Sequence, residues 1–218
     1  MPPVTPIPSP IGVTPAPTTP ASTVDPSPPQ RLTLAEYLTH CGGTDSSYEL
    51  VQGVLVPMTL GTGLHGEIAD FLTMQFRAEI GRSGQPWVAR QMVIGVQSPR
   101  GYRWDTCRIP DVVVLPQEQW RELRGREAVI TAGQAPPLLV VEVVSESTKI
   151  TDYRHKQAEY SVLEIPEYWI VDPLEEKVTV LELVEGLYDA EGFVADESIK
   201  SPLFPNLNLT PNQILNPV

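Results

Sequence analysis

The run PLLVVEVVS, residues 137–145, constrains the fold more than any other segment of the chain. Leu and Val occupy successive positions, which is typical of a strand buried on both faces rather than of one that alternates between core and solvent. Glu142 interrupts this run. Removing water from an unpartnered, ionised carboxylate costs more than the margin of about 5 to 15 kcal/mol by which a domain is stable. Glu142 therefore needs a cation or a proton.

Periodicity and turn residues divide the rest of the chain into helices and strands. Thr33 and Glu36 form a capping box that predicts the start of a first helix, and Gly81 stands where a long helix is expected to end. We predict helices over residues 31–41, 63–81 and 150–163, and a polar helix or long connection over 117–129. Two short strands within residues 47–58 are predicted to join at Gln52 and Gly53. The other predicted strands are residues 86–96, 109–115, 137–145, 167–173 and 177–184.

The order of these elements favours an α/β (α+β) fold. The core runs helix, three strands, helix, strand, and an N-terminal hairpin and further C-terminal strands are added to it. A mixed β-sheet flanked by helices is the simplest architecture for this order.

Residues 1–30 are predicted to be a disordered, proline-rich tail. They hold eleven of the 24 prolines and one charged residue, with no apolar face to bury. We therefore assign one domain to residues 31–218. No segment has the pattern of a secretory signal or of a membrane span. Cys41 and Cys107 show neither metal-ligand nor disulfide spacing, so we expect a cytoplasmic protein.

Charge is distributed unevenly along the chain. The formal net charge is −12, but residues 77–156 carry +3 and residues 157–218 carry −10. The total argues against broad, nonspecific binding of nucleic acid, whereas the basic middle segment is compatible with a phosphate-bearing ligand. A solvated surface of mixed sign explains that segment equally well.

Asp111 is a second acid placed beside apolar residues. It follows Pro110 and opens the predicted strand DVVVL. If Asp111 and Glu142 converge at the ends of neighbouring strands, they repel each other unless a cation lies between them. A hard divalent ion with oxygen ligands satisfies both, and magnesium is the ion that we expect.

Lys156 is the third candidate residue. In TDYRHKQAEYSVL it shares the apolar stripe of a predicted helix with Tyr153, Tyr160 and Leu163, and this stripe faces the sheet. Its ammonium could reach Glu142 or a bound anion. A buried ion pair of Glu142 and Lys156 without chemistry is an equal alternative. Lys156 could also form a surface contact with Asp152 one turn earlier.

Other residues have both a structural and a functional interpretation. Asp111 by itself also fits an ordinary strand end that binds turn amides. His65 lies one position off the apolar stripe of its helix and fits an interface histidine better than a ligand. Glu49 fits an exposed strand carboxylate, or a residue that approaches the same site.

Several segments together resemble the Uma-two (Uma2) family of endonucleases, which belongs to the PD-(D/E)XK nuclease superfamily. The resemblance runs from about residue 31 to 215, and its block from LVVEVVSEST to EYWIVDP is specific. The segments are YELVQGVL, His65 at the start of a helix, IPDVVVL, PPLLVVEVVSESTKITDYRHKQAEY, IPEYWIVDP and SPLFPNLNLT.

The resemblance implies a restriction-endonuclease-like fold and a set of site residues. Asp111 and Glu142 match the two acids of the superfamily pattern, but Val144 stands where the pattern has its lysine. Since residues two apart lie on one face of a strand, Val144 cannot replace that lysine, and Lys156 on the next helix is the residue placed to do so. By the same analogy, Glu49 or His65, from the N-terminal part of the domain, contributes to the catalytic site.

The resemblance also implies a reaction and partners. Magnesium, with manganese as a substitute, is expected at Asp111, Glu142 and the Val143 carbonyl, where it activates water for hydrolysis of a DNA phosphodiester bond. A homodimer is plausible because cutting both strands needs two sites. The alternative is a catalytically inactive domain of this fold that binds DNA or a protein, since the acidic C-terminal third suits a basic protein better than DNA.

Overall fold

A computed structural model describes residues 31–41, 48–58 and 61–217, with the side chain of Cys41 not among the described parts. The predicted tail of residues 1–30 lies outside these residues. Within the described ranges, none of the helices combines the length and the apolar character needed to cross a bilayer.

The predicted helices appear in their predicted order, but some differ in their limits and one further helix, Pro211–Leu215, was not predicted. The capping box is confirmed, since the Thr33 amide donates to Glu36 and the Glu36 amide donates to Thr33. The long helix does not end at Gly81: it continues to Ser83, where Gly84 adopts a left-handed φ of 67°. The predicted helix over 150–163 begins with a π-helical segment, Thr151–Lys156. The α-helices are α1 Leu34–Cys41, α2 Gly63–Ser83, α3 Gln117–Glu122, α4 Gln157–Val162 and α5 Pro211–Leu215.

The strands form two mixed sheets. The six-stranded sheet has the order β11-β10-β9-β8-β6-β3, and the five-stranded sheet has the order β2-β1-β5-β4-β7. The strands are β1 Tyr48–Val51, β2 Val54–Pro57, β3 Trp87–Gln91, β4 Gly95–Arg100, β5 Arg103–Arg108, β6 Val112–Pro116, β7 Val129–Ile130, β8 Leu139–Val143, β9 Glu167–Asp172, β10 Lys177–Val184 and β11 Leu187–Val194.

The second sheet arises where a single strand was predicted over residues 86–96. The chain breaks at Met92, whose φ is 49°, so β3 joins the six-stranded sheet and β4 joins the five-stranded one. The sequence interpretation also missed β5 and β11, whose mixed polar and apolar residues give no clear alternation in burial. One predicted strand therefore became two strands in different sheets.

The six-stranded sheet is covered on both faces, as the apolar run in β8 predicts. Helix α2 packs Ile68, Leu72 and Phe76 against one face, together with Val141 and Val143 of β8. The alternate residues of β8 face the other side, where α4 and β4 cover them. β8 has every residue buried and lies between β9 and β6. It is the central element on which the candidate site is built.

Candidate active site

Asp111 and Glu142 lie close together, one just before β6 and the other in β8. Val112 of β6 pairs with Val141 of β8 in antiparallel register, so each acid is the next residue beyond that pair. Asp111 is fixed further by the Val143 amide, which donates to its Oδ2 at 2.7 Å. The two predicted carboxylates are therefore brought together.

Lys156 points into the protein and contacts two buried acids. Its Nζ lies 2.7 Å from Glu142 Oε2 and 3.0 Å from Asp152 Oδ1. Only 6% of Lys156 is exposed, and Asp152 is 1% exposed, so the alternative of a surface contact between these two residues is wrong. The π-helical segment carries both residues on the side that faces the sheet.

Asp152 is the buried acid with the fewest hydrogen bonds at the site. Its partners within the described residues are the Lys156 ammonium, 3.0 Å from Oδ1, and the Thr148 side chain. Glu167 is equally buried, yet it accepts bonds from the Trp169 indole, the Ser201 hydroxyl and the Leu203 amide. Asp152 therefore depends on the charge of Lys156 more than Glu167 depends on any one partner.

His65 and Tyr160 each hold one of the two central acids. His65, near the start of α2, lies with Nε2 2.8 Å from Asp111 Oδ1. The Tyr160 hydroxyl in α4 donates to Glu142 Oε1 at 2.6 Å. His65 is thus both an interface histidine between helix and sheet and a neighbour of the candidate site.

Glu49 is not the exposed strand carboxylate that its strand position also allowed. It pairs with the buried guanidinium of Arg108 at 3.0 Å and accepts a bond from the Ile109 amide. Arg108 also binds both oxygens of Glu159 in α4. Glu49 therefore belongs to a buried ion network that joins the five-stranded sheet to α4, and its charge acts on Glu142 and Lys156 from there.

The electrostatics of the site reflect an excess of buried negative charge. Burial raises the pKa of Glu142 to about 8; the positive charge of Lys156 opposes this rise, and the charges of Asp111 and Asp152 add to it. Burial likewise raises the pKa of Asp152. Burial by itself lowers the pKa of Lys156, but the charges of Glu142 and Asp152 outweigh it and raise that pKa. When all are ionised, the three carboxylates and the Lys156 ammonium of the site have a combined formal charge of −2. The carboxylates are those of Asp111, Glu142 and Asp152.

The raised pKa of Glu142 predicts that the metal-free protein loses stability as pH rises. In the unfolded chain the pKa of Glu142 is 4.5, whereas in the folded protein its pKa is about 8, so only the folded protein keeps the proton between these two pH values. The stabilisation is therefore full below the lower value and is lost towards the higher one, by at most about 1.4 kcal/mol per pH unit. Urea unfolding with chelator should show this slope in the difference between wild type and Glu142→Gln. A difference that does not change with pH would contradict the prediction.

The donor set fits a hard divalent cation. Among the described residues, no three His, Cys, Asp or Glu side chains are grouped closely enough to enclose a metal ion. Magnesium does not require such a cage, because it is usually bound through one or two carboxylates and keeps several waters. Asp111 and Glu142 supply two carboxylates, each oxygen of which has a second lone pair beyond its present bond. Asp152 adds a third carboxylate, on the helix side of Lys156.

The sequence interpretation missed Asp152 and Tyr160 as site residues. A signal was present: Asp152, Lys156 and Tyr160 follow each other at intervals of four along the stripe that faces the sheet. A polar group at each turn of a buried stripe needs a shared partner. That partner is Glu142 for two of the three residues, Lys156 and Tyr160.

Comparisons with known proteins support a nuclease-like fold. The model of the Uma2 family, described as "Putative restriction endonuclease", matches residues 34–212. A crystal structure from Anabaena variabilis ATCC 29413, described as a "putative nuclease belonging to DUF820", is similar with a TM-score of 0.66 and 18% sequence identity. The similarity covers 84% of this chain and 97% of that one, and at this identity it shows the fold. No curated protein matches significantly.

Proposed function

Because the chain belongs to the Uma2 family, whose model matches residues 34–212, we propose that it is a magnesium-dependent DNA endonuclease. The observation that carries this proposal is the Lys156 ammonium, buried between Glu142 and Asp152 beside Asp111 of the neighbouring strand. An ammonium beside paired acids can stabilise the charge that develops on a phosphate while the acids hold a metal ion, and Lys156 would here take the place of the lysine that Val144 replaces.

Asp111 and Glu142 are the residues that would hold the ion, with the Val143 carbonyl as a further oxygen ligand. Magnesium, when bound, would stabilise the negative charge on the phosphate oxygens and lower the pKa of a water molecule bound to it. His65 orients Asp111 through the 2.8 Å contact with its Oδ1, and Tyr160 orients Glu142 through its hydroxyl. Residues of this kind fix the direction of the ligand oxygens.

Lys156 has a separate task in the proposed reaction. Its raised pKa keeps it protonated at neutral pH, so it can donate to a phosphate oxygen and stabilise the charge that develops on that group. Asp152 holds the ammonium from the helix side at 3.0 Å. Glu49 acts on Glu142 and Lys156 through its charge, while its own oxygens accept from Arg108 and the Ile109 amide.

A cleavage assay tests the proposed function. Purified protein is incubated with supercoiled plasmid, single-stranded DNA and branched DNA, each with magnesium, manganese or chelator. We expect nicking or cutting of at least one substrate with either metal, and none with chelator. Cleavage that persists in chelator would contradict a metal-dependent mechanism, and the absence of cleavage in all arms would favour the second candidate.

The second candidate is a catalytically inactive domain that binds DNA or a protein. It is favoured by the observation that all four oxygens of Asp111 and Glu142 already accept hydrogen bonds from His65, Val143, Lys156 and Tyr160. Each acid would then be satisfied without a metal. Metal binding separates the two candidates, because the inactive domain needs none.

Asp152→Asn is expected to stabilise the metal-free protein and to reduce cleavage. The change removes a buried negative charge whose pKa is raised by burial, so the melting temperature should rise. It also loosens Lys156, and we expect cleavage to fall by about 10- to 100-fold. Calorimetry in chelator and the plasmid assay measure the two effects. Unchanged cleavage in this variant would show that Asp152 does not position Lys156.

A further inference from the structure

Two arginines meet on the free edge of the six-stranded sheet. β3 is the last strand of that sheet, and the carbonyl oxygen of Ala89 in β3 accepts from Arg77 Nε at 3.2 Å and from Arg90 Nη1 at 2.9 Å. Arg77 comes from α2 on one face of the sheet. Arg90 pairs with Val113 of β6 and lies on the opposite face. The edge thus carries positive charge from both sides.

A third arginine adds to this charge from the end of α3. Arg90 stacks on Trp120 with its guanidinium carbon 4.5 Å from the ring centroid. Partial burial lowers the pKa of Arg90, and the like charges of Arg77 and Arg124 lower it further. We call Arg77, Arg90 and Arg124 the edge arginines.

Within residues 31–41, 48–58 and 61–217, the edge arginines have no carboxylate partner. In the part of the chain that the structure describes, the arginines that form ion pairs are Arg82, Arg103 and Arg108. Like charges held together without counter-ions repel each other, and the resulting positive potential attracts an anion from solution. A surface of this kind stands out in a chain whose formal net charge is −12.

The opposite edge of the same sheet has the opposite charge. There, Glu182, Asp189 and Glu191 line a groove of about 530 Å³ beside β10 and β11. Lys200 at this edge is already paired with Glu191. A polyanion is therefore repelled from the β11 edge and attracted to the β3 edge.

The edge arginines lie beside the candidate active site. The Met92 amide, two residues after Arg90, donates to the Asp111 carbonyl at 3.0 Å. Arg90 pairs with Val113, and Val113 pairs with Val140, so Arg90 and Glu142 lie on one face of the sheet, two residues and two strands apart. Two residues along a strand span about 7 Å and two strand spacings span about 10 Å, so a polyanion at the site can reach Arg90 with a charge further along its chain.

We propose that the β3 edge, through Arg77, Arg90 and Arg124, binds the phosphate backbone of a DNA duplex whose scissile phosphate lies at Asp111 and Glu142. This inference rests on the proposed function and names the surface that holds the substrate. The planar guanidinium binds phosphate oxygens in pairs, which suits a backbone contact. The stacked Trp120 fixes the direction of Arg90. Contacts of this kind position the duplex without reading its sequence.

Equilibrium binding to a short DNA duplex in chelator tests the inference without any cleavage. We compare wild type with the double variant Arg77→Gln/Arg90→Gln and with the single variant Arg124→Gln. The control is a second double variant at the acidic edge, Lys177→Gln/Lys200→Gln. The two double variants change the net charge equally. The salt slope should fall by about one unit per lost phosphate contact. Affinity should drop about tenfold or more in the edge double variant and change less than about twofold in the control.

The outcomes separate this inference from the proposed function. Weaker binding of the edge variants, with or without cleavage by wild type, supports the DNA-binding edge. Equal losses in edge and control variants would mean that only total charge matters and would overturn it. Arg124→Gln changes an exposed side chain, so it tests the surface even if loss of the Trp120 contact unfolds the double variant. Polyglutamate is titrated in parallel, and binding of that polymer but not of DNA would overturn the inference in favour of an acidic protein partner.

Discussion

Lys156→Met is expected to abolish DNA cleavage in a protein that still folds. The substitution keeps much of the side-chain volume and removes the ammonium that lies 2.7 Å from Glu142 and 3.0 Å from Asp152. Loss of one preorganised charge that stabilises a transition state costs about 100- to 1000-fold in rate. Glu142→Ala, which removes a proposed metal ligand, should have an effect at least as large. The plasmid assay with magnesium measures both.

Stability and cleavage, measured together on Lys156→Met, separate a catalytic lysine from a structural one. Removing one partner of a buried ion pair costs about 3 to 5 kcal/mol when the other stays charged. Here burial already raises the pKa of Glu142 to about 8, so Glu142 can bind a proton, and we expect a smaller loss near neutral pH. If the ion pair is purely structural, Lys156→Met lowers the stability in the same way but leaves cleavage unchanged.

Lys149→Met is the matched control for this experiment. Lys149 lies just before the π-helical segment and pairs with Glu175 and Asp172, and its side chain is 38% exposed. The change removes the same charge from the same region without altering the candidate site. It should keep wild-type cleavage. Full cleavage by Lys156→Met would remove Lys156 from the mechanism.

Asp111→Asn is expected to weaken metal binding by more than about tenfold, since loss of groups that merely orient a ligand already costs about 10- to 100-fold. The change removes the negative charge that faces Glu142 and keeps the size of the side chain. The Asn carbonyl oxygen can still accept the bond from the Val143 amide or from His65, so the strand pairing should hold. Calorimetric titration with magnesium or manganese measures the affinity.

Asp189→Asn is the control for Asp111→Asn. Asp189 lies on β11 at the far edge of the six-stranded sheet, and the change alters the net charge by the same amount. It should bind metal as wild type does. Equal metal affinity in Asp111→Asn and wild type would place the ion elsewhere, and no heat of binding in wild type would favour the inactive binding domain.

Local patterns predicted much of the fold because burial imposes a visible period. The unbroken apolar run of β8 predicted a strand covered on both faces, and the structure confirms it. The capping box and the apolar repeat of α2 predicted two helices. Where the local signal was ambiguous, the prediction was wrong: the stretch over 86–96 contains a left-handed Met92 that divides it between two sheets. A single positive φ has no periodic signature in the residues around it.

The sequence by itself determined that Glu142 must have a partner, because an ionised carboxylate cannot lie unpaired in the middle of an apolar strand. It also determined the order of helices and strands around that residue. Only the tertiary structure decided which groups meet there. Asp111 and Lys156 lie 31 residues before and 14 residues after Glu142, and Asp152 could have faced solvent. Strand register and the π-helical segment set those contacts, and both depend on packing between segments far apart in the chain, which no local pattern records.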